Sequence, residues 1–199
     1  MSPTSCAGIM HPMRNTRTQS TNASGLPRLV RLLSLALVIS LMMPGNASSA
    51  ASPLRAGTKA PSFTTITLSG RPLSLMSLRG HVVLLDYWAT WCAPCVGSMP
   101  KLQALHRRFE AQGLRVVGLS LDDASTMPTV KQTLKSRGIT YCIGVSVVDN
   151  ARAAQAYNVT YPPSLYLIDK KGIVRWSSVG LSAPEQGKLK TLIEGLVHE

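Results

Sequence analysis

One short stretch of this chain constrains its fold more than any other. An apolar run from Val82 to Leu85 predicts a buried strand, and aromatic residues lead from it to Cys92 and Cys95. After the second cysteine, apolar residues recur at three- and four-residue spacing, which is typical of an amphipathic helix. Two cysteines at this spacing, at the start of a helix, can close a small disulfide ring and reopen it. The stretch therefore predicts a strand, a redox-active pair and a helix in succession.

The N-terminal residues 1–51 have the pattern of an export leader rather than of a folded segment. Basic residues precede the apolar stretch 32–43, a Pro-Gly break follows, and small residues close the segment. This is the order of a secretory signal peptide, and the apolar stretch is shorter than the roughly 20 residues that span a bilayer. We expect cleavage after Ala50 or Ala51 and a periplasmic protein, whereas an uncleaved leader would anchor it in the inner membrane. Residues 52–199 are then a single domain.

Composition limits the partners that this domain is expected to have. Without the four arginines of the leader, 17 Lys and Arg stand against nine Asp and Glu, a net charge of +8. The basic residues are scattered along the sequence, and an exported protein seldom meets nucleic acid, so we interpret the charge as a solvated surface. We expect no nucleic-acid partner, contact with a membrane only if the leader remains, and a monomer.

The other cysteines and the histidines have structural interpretations. Loss of the leader would also remove Cys6, so that Cys142 is left over once the redox pair is counted. Its strand-like neighbours predict a buried small hydrophobic residue rather than a third reactive thiol. The histidines are scattered along the chain, and we interpret His81 as a strand-edge residue and His106 as a helix-surface residue. No metal site is predicted.

The rest of the domain alternates between strand and helix patterns. Besides the central strand at 81–87, strands are predicted at 63–68, 72–75, 114–121, 139–145, 164–169 and 173–176. Helices are predicted from the cysteine pair to near Gly113, with a kink at Pro100, and at 129–137, 150–157 and 184–197. This order indicates an α/β fold with a central mixed β-sheet flanked by helices and an N-terminal β extension.

With these elements laid out, the motifs resemble those of a known family. The sequence Trp-Cys-Ala-Pro-Cys at 91–95 is similar to the active site of the thioredoxin superfamily. The segments 57–63 and 163–169 resemble the exported TlpA/ResA-like branch, and the likeness covers essentially the whole mature chain. The resemblance implies a thioredoxin-like fold and a thiol–disulfide oxidoreductase with a redox-active disulfide, Cys92–Cys95, and no other cofactor.

The resemblance also implies a role for each residue of the motif. Cys92 is expected to be the nucleophile, because a helix N terminus favours a thiolate. Cys95, one turn deeper, is expected to attack the mixed disulfide and release the reduced substrate. Trp91, Ala93 and Pro94 are expected to contact the substrate, with Trp91 shielding one side of the pair and Pro94 stiffening the turn.

Asp86 departs from the pattern of the branch. It stands in an otherwise apolar strand, where an acid is costly unless it is partnered or functional. In thioredoxins an aspartate at this place helps to take the proton from the buried cysteine. TlpA-like proteins usually have a neutral residue there and often a glutamate three residues after the second cysteine, where this chain has Ser98. We therefore predict that Asp86 handles the proton and that burial raises its pKa.

A pair of prolines precedes the strand at 164–169. Pro163 matches the cis-proline of the family, which brings a backbone edge beside the disulfide for the substrate to pair with. Relatives usually pair through the N–H and C=O groups of the preceding residue. That residue is Pro162 here, which has no N–H, so one hydrogen bond to the substrate is predicted to be absent.

These residues suggest one leading function and two alternatives. The leading one is the reduction of protein disulfides, with apocytochrome c or the copper-site cysteines of oxidase subunits as clients in cytochrome c maturation or oxidase assembly. Its electrons would come from an upstream membrane protein. A peroxiredoxin-like peroxidase needs Thr or Ser three residues before its reactive cysteine, but Ala89 precedes Cys92 and Cys92 precedes Cys95 at that spacing. A metallochaperone holding Cu(I) between the two thiolates has no supporting Met or His motif.

Overall fold

The computed structural model describes residues 52–199; Cys6 and the predicted leader and cleavage sites lie outside the described residues. The strands of the described part are β1 (Thr64–Ile66), β2 (Pro72–Ser74), β3 (Val82–Trp88), β4 (Leu114–Ser120), β5 (Cys142–Gly144), β6 (Ser164–Ile168) and β7 (Val174–Val179). Its α-helices are α1 (Ala93–Phe109), α2 (Met127–Ser136), α3 (Val147–Ala156) and α4 (Ala183–His198). None of these helices is both long and apolar enough to cross a membrane.

Five strands form one mixed sheet in the order β5-β4-β3-β6-β7. β3 pairs in parallel with β4, and β4 with β5, whereas β6 runs antiparallel to both β3 and β7. β1 and β2 form a separate antiparallel pair, which a bridge between Thr67 and Gly144 links to the end of β5. The predicted fold, a central mixed sheet flanked by helices, is confirmed.

Both faces of the central strand are covered, so every residue of β3 is buried. Alternate side chains enter different cores. Leu84 and Trp88 pack with apolar residues of α1, α2 and α4, and this side of the sheet is called the α1 face. Leu85 and Tyr87 pack on the opposite face with α3 and the β1–β2 segment. By the same alternation, Asp86 lies on the α1 face.

Most predicted element boundaries lie within three residues of the observed ones, but β5 is less than half as long as the predicted strand at 139–145. The backbone at the start of that segment bonds elsewhere. The Ile139 N–H donates to the carbonyl of Leu134 at the end of α2. Thr140 exchanges two hydrogen bonds of 2.8 Å with the side chain of Gln103 in α1. These residues therefore connect two helices instead of extending the ladder.

Two predictions for single residues meet a different outcome. Cys142 is buried in β5, as predicted, but it is disulfide-bonded, so the prediction that it is a leftover thiol is wrong. His106 is buried rather than on the helix surface, because the stripe that begins with Met99 and Leu102 continues to it. Pro100 lies inside α1, as predicted, and the kink at this residue stays a prediction.

Candidate active site

Cys92 and Cys95 lie at the junction of β3 and α1. Cys92 caps the helix with an extended backbone (φ −90°, ψ 92°), and its Sγ accepts a hydrogen bond of 3.2 Å from the Cys95 N–H. The two sulfur atoms form a disulfide bond of 2.05 Å. Cys92 is 6% exposed and Cys95 is fully buried. The helix N terminus favours negative charge on the Cys92 sulfur, which is also the one that solvent reaches.

The residues that surround Cys92 in the motif are on the surface. Trp91 is 67% exposed, and Ala93 and Pro94 are exposed as well. Pro94 stands in the first turn of α1, where its missing N–H leaves no helical hydrogen bond unmade. These three side chains form an exposed apolar rim beside Cys92.

The loop before the cysteines is anchored by Asp122, which the sequence analysis did not identify. The Thr90 N–H contacts both carboxylate oxygens of Asp122, at 3.0 and 3.1 Å, and the Thr90 hydroxyl donates to the same carboxylate at 2.5 Å. The Ser120 hydroxyl donates to it at 2.8 Å. The sequence could have indicated this residue, because an acid two positions after the end of β4 lies at the edge where the carboxyl ends of parallel strands meet. Asp122 thus fixes the loop that leads to Cys92.

Asp86 lies in the middle of β3 with no exposed surface. Neither of its carboxyl oxygens has a hydrogen-bond partner among the described residues. Its neighbours across the sheet, Gly118 in β4 and Leu165 in β6, carry no charge. Burial raises the pKa of Asp86 to about 7. The carboxyl group can therefore hold or release a proton near neutral pH, on the sheet face that packs against both cysteines.

Ser98 occupies the place at which the branch often has an acid. It is buried, and its hydroxyl donates a hydrogen bond of 2.8 Å to the carbonyl of Cys95. The first turn of α1 contains no acidic residue either. Neither Ser98 nor another residue in the first turn of α1 therefore supplies an acid beside the pair.

The peptide bond between Pro162 and Pro163 is cis, as the resemblance implied. Pro163 is buried, Pro162 is half-buried and the preceding Tyr161 is 69% exposed. β6 begins directly after them with Ser164, which pairs with Tyr87 near the end of β3. The two prolines therefore lie at the same edge of the sheet as the cysteine pair.

Two more polar side chains of the α1 face were not given a role by the sequence analysis. The hydroxyl of Tyr141 and the Nδ1 atom of His106 are buried and have no hydrogen-bond partner among the described residues. Nothing in the sequence pattern marked either residue as functional, since a tyrosine in a strand and a histidine in a helix are usually packing residues. Within residues 52–199, no group of three or more His, Cys, Asp or Glu side chains is arranged to hold a metal ion.

Comparisons with known proteins agree with this geometry. The model of the AhpC/TSA family matches residues 56–177. The thioredoxin-like protein YneN of Bacillus subtilis is 31% identical over 138 residues, which cover 69% of this chain and 79% of that protein. The thiol-disulfide oxidoreductase ResA of Bacillus thuringiensis is 29% identical over 141 residues, covering 70% and 79%. The crystal structure of a thiol:disulfide interchange protein of the thioredoxin family from Chlorobium tepidum is similar at a TM-score of 0.62 and 28% identity, covering 73% of this chain and 99% of that one.

Proposed function

The chain belongs to the AhpC/TSA family and, within the thioredoxin superfamily, to the ResA-like thiol–disulfide oxidoreductases, and from this premise we propose that it reduces disulfides of exported proteins. The observation that carries the proposal is the unequal exposure of the two sulfurs at the start of α1. Cys92 keeps 6% of its surface exposed, whereas Cys95 is fully buried and is bonded to Cys92.

The reaction begins with the reduced pair. The Cys92 thiolate attacks one sulfur of the substrate disulfide, forming a mixed disulfide and releasing the other substrate sulfur as a thiolate. Cys95 then loses its proton and attacks Cys92, so that the Cys92–Cys95 bond forms and the bond to the substrate breaks. The substrate gains two electrons, the cysteine pair loses two, and protons from water neutralise the released substrate thiolates.

Asp86 supplies the base for the second step. A carboxyl group with a pKa of about 7 accepts the Cys95 proton more readily than an ordinary aspartate does, and it lies on the same face of the sheet. The other partner group near Cys95, the Ser98 hydroxyl, does not titrate in this range and is bonded to a backbone carbonyl.

The substrate is an extended peptide around the target cysteine. It contacts Trp91, Ala93 and Pro94 on one side of Cys92 and the backbone at Pro162 and Pro163 on the other. The exposed apolar rim and the position of the cis peptide at the same sheet edge support this arrangement. Main-chain pairing of this kind suits clients that present an unfolded cysteine segment, such as an apocytochrome c or a copper-site protein.

We further propose that the domain, residues 52–199, works as a monomer in the periplasm after removal of the leader. The leader sequence supports export, and an uncleaved leader would hold the domain on the outer side of the inner membrane. A reducing protein in an oxidising compartment must be recharged, so a membrane-bound dithiol protein is required as its electron donor.

The reduction potential of the Cys92–Cys95 pair tests the direction of the reaction. We expect a value closer to the about −270 mV of thioredoxin than to the about −120 mV of the strong oxidant DsbA. Equilibration of the domain with dithiothreitol redox buffers, followed by alkylation of free thiols, measures it. A value near that of DsbA contradicts the reductase assignment.

The order of the steps is tested with a disulfide-bonded peptide that carries two cysteines separated by two residues. The Cys95→Ser variant should accumulate a mixed disulfide, and the matched Cys92→Ser variant should form none. Asp86→Asn should slow the resolution of the mixed disulfide by about 100-fold near pH 7, because it removes a general base. If resolution in Asp86→Asn keeps the wild-type rate, Asp86 has only a structural role.

A further inference from the structure

Asp122 is a buried carboxylate at the same sheet edge as the cysteine pair. It is 3% exposed, and its two oxygens accept hydrogen bonds from the Thr90 N–H and from the hydroxyls of Thr90 and Ser120. Each of these partner groups is a donor, which is what an ionised carboxylate accepts at both of its oxygens. The loop before Cys92 is therefore bound to a negatively charged group.

No cation neutralises this charge within the described part of the chain. None of the ion pairs among residues 52–199 includes Asp122. Its hydrogen bonds come from neutral groups, namely a backbone amide and two hydroxyls. Buried charges in proteins are usually paired with an opposite charge, so an exception beside a reactive site needs an explanation.

Asp122 lies close to Cys92 because the loop between their strands is short and tightly folded. The Thr90 N–H contacts the carboxylate at 3.0 Å, and Thr90 stands two residues before Cys92. The Cys92 N–H donates to the carbonyl of Ala89 at 3.2 Å, which closes residues 89–92 into a turn. Two residues span at most about 7 Å even when extended, so the carboxylate lies within about 10 Å of the Cys92 backbone nitrogen.

Two opposite influences therefore act on the Cys92 sulfur. The N terminus of α1 favours a thiolate, and the Cys95 N–H donates directly to Sγ at 3.2 Å. The Asp122 charge disfavours a thiolate. At about 10 Å, with an effective dielectric constant of about 20, one unit charge changes the ionisation constant of a neighbouring group by roughly tenfold. Asp122 can thus offset part of the effect of the helix.

The other titratable groups near the pair are few. Asp86 of β3 and His106 of α1 are buried, Tyr141 lies in the core of the α1 face, and Tyr161 is exposed beside the cis peptide. The first turn of α1 contains no acidic residue. Within residues 52–199, α2, α4, β6 and β7 contribute no buried charged side chain. All of these groups remain when Asp122 is replaced, so their effects cancel in a comparison of variants.

We propose that Asp122 is a positioning residue whose charge destabilises the Cys92 thiolate and so makes the cysteine pair a stronger reductant. This inference rests on the proposed reductase function. A stabilised thiolate stabilises the reduced pair, as in the strong oxidant DsbA, so a charge that opposes the thiolate has the reverse effect. Reduction of the pair becomes less favourable, and transfer of its two electrons to a substrate disulfide becomes more favourable.

The equilibrium of the protein with dithiothreitol measures this effect. Dithiothreitol gives two electrons and two protons to the Cys92–Cys95 bond, which opens to two thiols, and closes its own disulfide. Above the pH at which half of it is ionised, Cys92 then releases its proton to water. This last step forms the thiolate that the Asp122 charge opposes, so the equilibrium should depend on Asp122 above that pH and not below it.

The test is Asp122→Asn, which removes the charge and keeps the size of the side chain. At about pH 8 its reduced form should be favoured about tenfold more than that of the wild type, a change of about 30 mV towards the potential of DsbA. At about pH 5 the two proteins should agree within about twofold. The pH profile of Cys92 alkylation should move to lower pH by about one unit. If Asp122→Asn does not fold, Asp122→Ser removes the same charge and has the same expected result.

The matched control is Asp123→Asn. It removes the same charge from the adjacent residue, whose exposed side chain accepts hydrogen bonds from the N–H groups of Ser125 and Thr126. Solvent screens an exposed charge, so this variant should change the equilibrium and the alkylation profile by less than about twofold. Thr90→Val removes one hydroxyl contact to Asp122 and keeps the charge, so it should not favour the reduced pair.

Equal shifts in Asp122→Asn and Asp123→Asn would show an effect of net charge alone and overturn the role of Asp122. A shift that is the same at both pH values, or that Thr90→Val reproduces, would show a change in loop structure and overturn it as well. A wild-type equilibrium in Asp122→Asn at the higher pH would refute the inference and leave the reductase assignment intact. A wild-type potential near that of DsbA, with the Asp122→Asn difference present, would refute the reductase assignment alone.

Discussion

Asp86 is an acid that the fold stabilises in its protonated form. Its carboxyl group is fully buried, has no hydrogen-bond partner among the described residues, and has uncharged neighbours on both adjacent strands. The pKa of about 7 follows from desolvation alone. A residue with this pKa changes its charge near neutral pH.

The first prediction concerns stability and pH. The pKa of Asp86 is about 7 in the folded protein and near its usual value of 3.8 when the chain is unfolded. Between these values the folded state binds the extra proton, so stability is full below about pH 4 and falls as the pH rises towards 7. The difference of about three pKa units corresponds to a loss of about 4 kcal/mol, an upper figure for a site that relaxes.

The Asp86→Asn variant should not lose this stability as the pH rises, because asparagine does not titrate. Urea unfolding of the oxidised variant and the wild type at pH 4 and pH 8 measures it, and the difference between the two proteins should change in favour of the variant at the higher pH. Any constant cost of the buried amide cancels in this comparison. If the difference in unfolding free energy between the two proteins does not depend on pH, burial does not raise the pKa of Asp86.

At this scale the sequence was informative where one residue contradicted its local pattern. An acid in an apolar strand and two cysteines at a helix start are visible without a structure. His106 and Tyr141 fit their local patterns, so the sequence offered no reason to select them. Asp122 reaches Thr90 only because β4 ends beside β3, and this neighbourhood is a property of the sheet rather than of the residue.

At the scale of elements, the N terminus of β6 presents a backbone edge with one donor missing. Pro162 has no N–H and lies beside the exposed Tyr161, at the sheet edge that the cysteine pair occupies. Pairing of a peptide with this edge therefore depends on carbonyl groups and on apolar contact.

The second prediction concerns a variant that restores the missing N–H group at position 162. Pro162→Thr should improve kcat/KM for a peptide disulfide by a factor of about five, which corresponds to the roughly 1 kcal/mol of one hydrogen bond. The control is hydroxyethyl disulfide, which has no peptide backbone and should react at an unchanged rate. Equal kinetics with the peptide would indicate that this segment does not touch the substrate.

Most elements could be predicted because periodicity and turn residues mark them locally. The strand at 139–145 was overestimated because its first residues bond to α2 and to Gln103, and such long-range competition leaves no trace in the local pattern. The cis peptide at Pro163 was likewise accessible through the family resemblance and not through hydrophobic periodicity.

At the scale of the whole molecule, the sheet separates two kinds of chemistry. The α1 face contains the cysteines, Asp86, Tyr141 and His106. The opposite face contains Tyr87 in contact with two other tyrosines, whose hydroxyls donate to backbone carbonyls. The cysteine pair and the buried acid thus lie on one side of the sheet.

A buried asparagine joins the β1–β2 pair to the main sheet. Asn150 accepts a hydrogen bond from the Thr65 hydroxyl at 2.8 Å and donates to the carbonyls of Ser120 and Gly144 at 2.8 and 3.0 Å. Three elements therefore meet at one fully buried side chain. The order of elements gave no indication of this junction, because its partners are up to 85 residues apart.

The third prediction is that Asn150→Ala lowers the free energy of unfolding by about 3 kcal/mol, because it leaves two buried carbonyls without donors. Denaturant unfolding measures this, and amide exchange in β1 should accelerate with it. Gln112→Ala is the control, since its exposed side chain makes one hydrogen bond to Arg108, and we expect a change of less than about 0.5 kcal/mol. A similar loss in both variants would argue against a special role for Asn150.

The anchoring of Thr90 by Asp122 has a consequence for the catalytic cycle. The loop before Cys92 is tied to the end of β4 by several hydrogen bonds, none of which involves the disulfide. We expect those contacts to persist when the Cys92–Cys95 bond opens, so that Cys92 gains little conformational entropy that the next turnover would have to remove. The oxidised and reduced protein can then present the same sulfur to successive clients with almost no reorganisation.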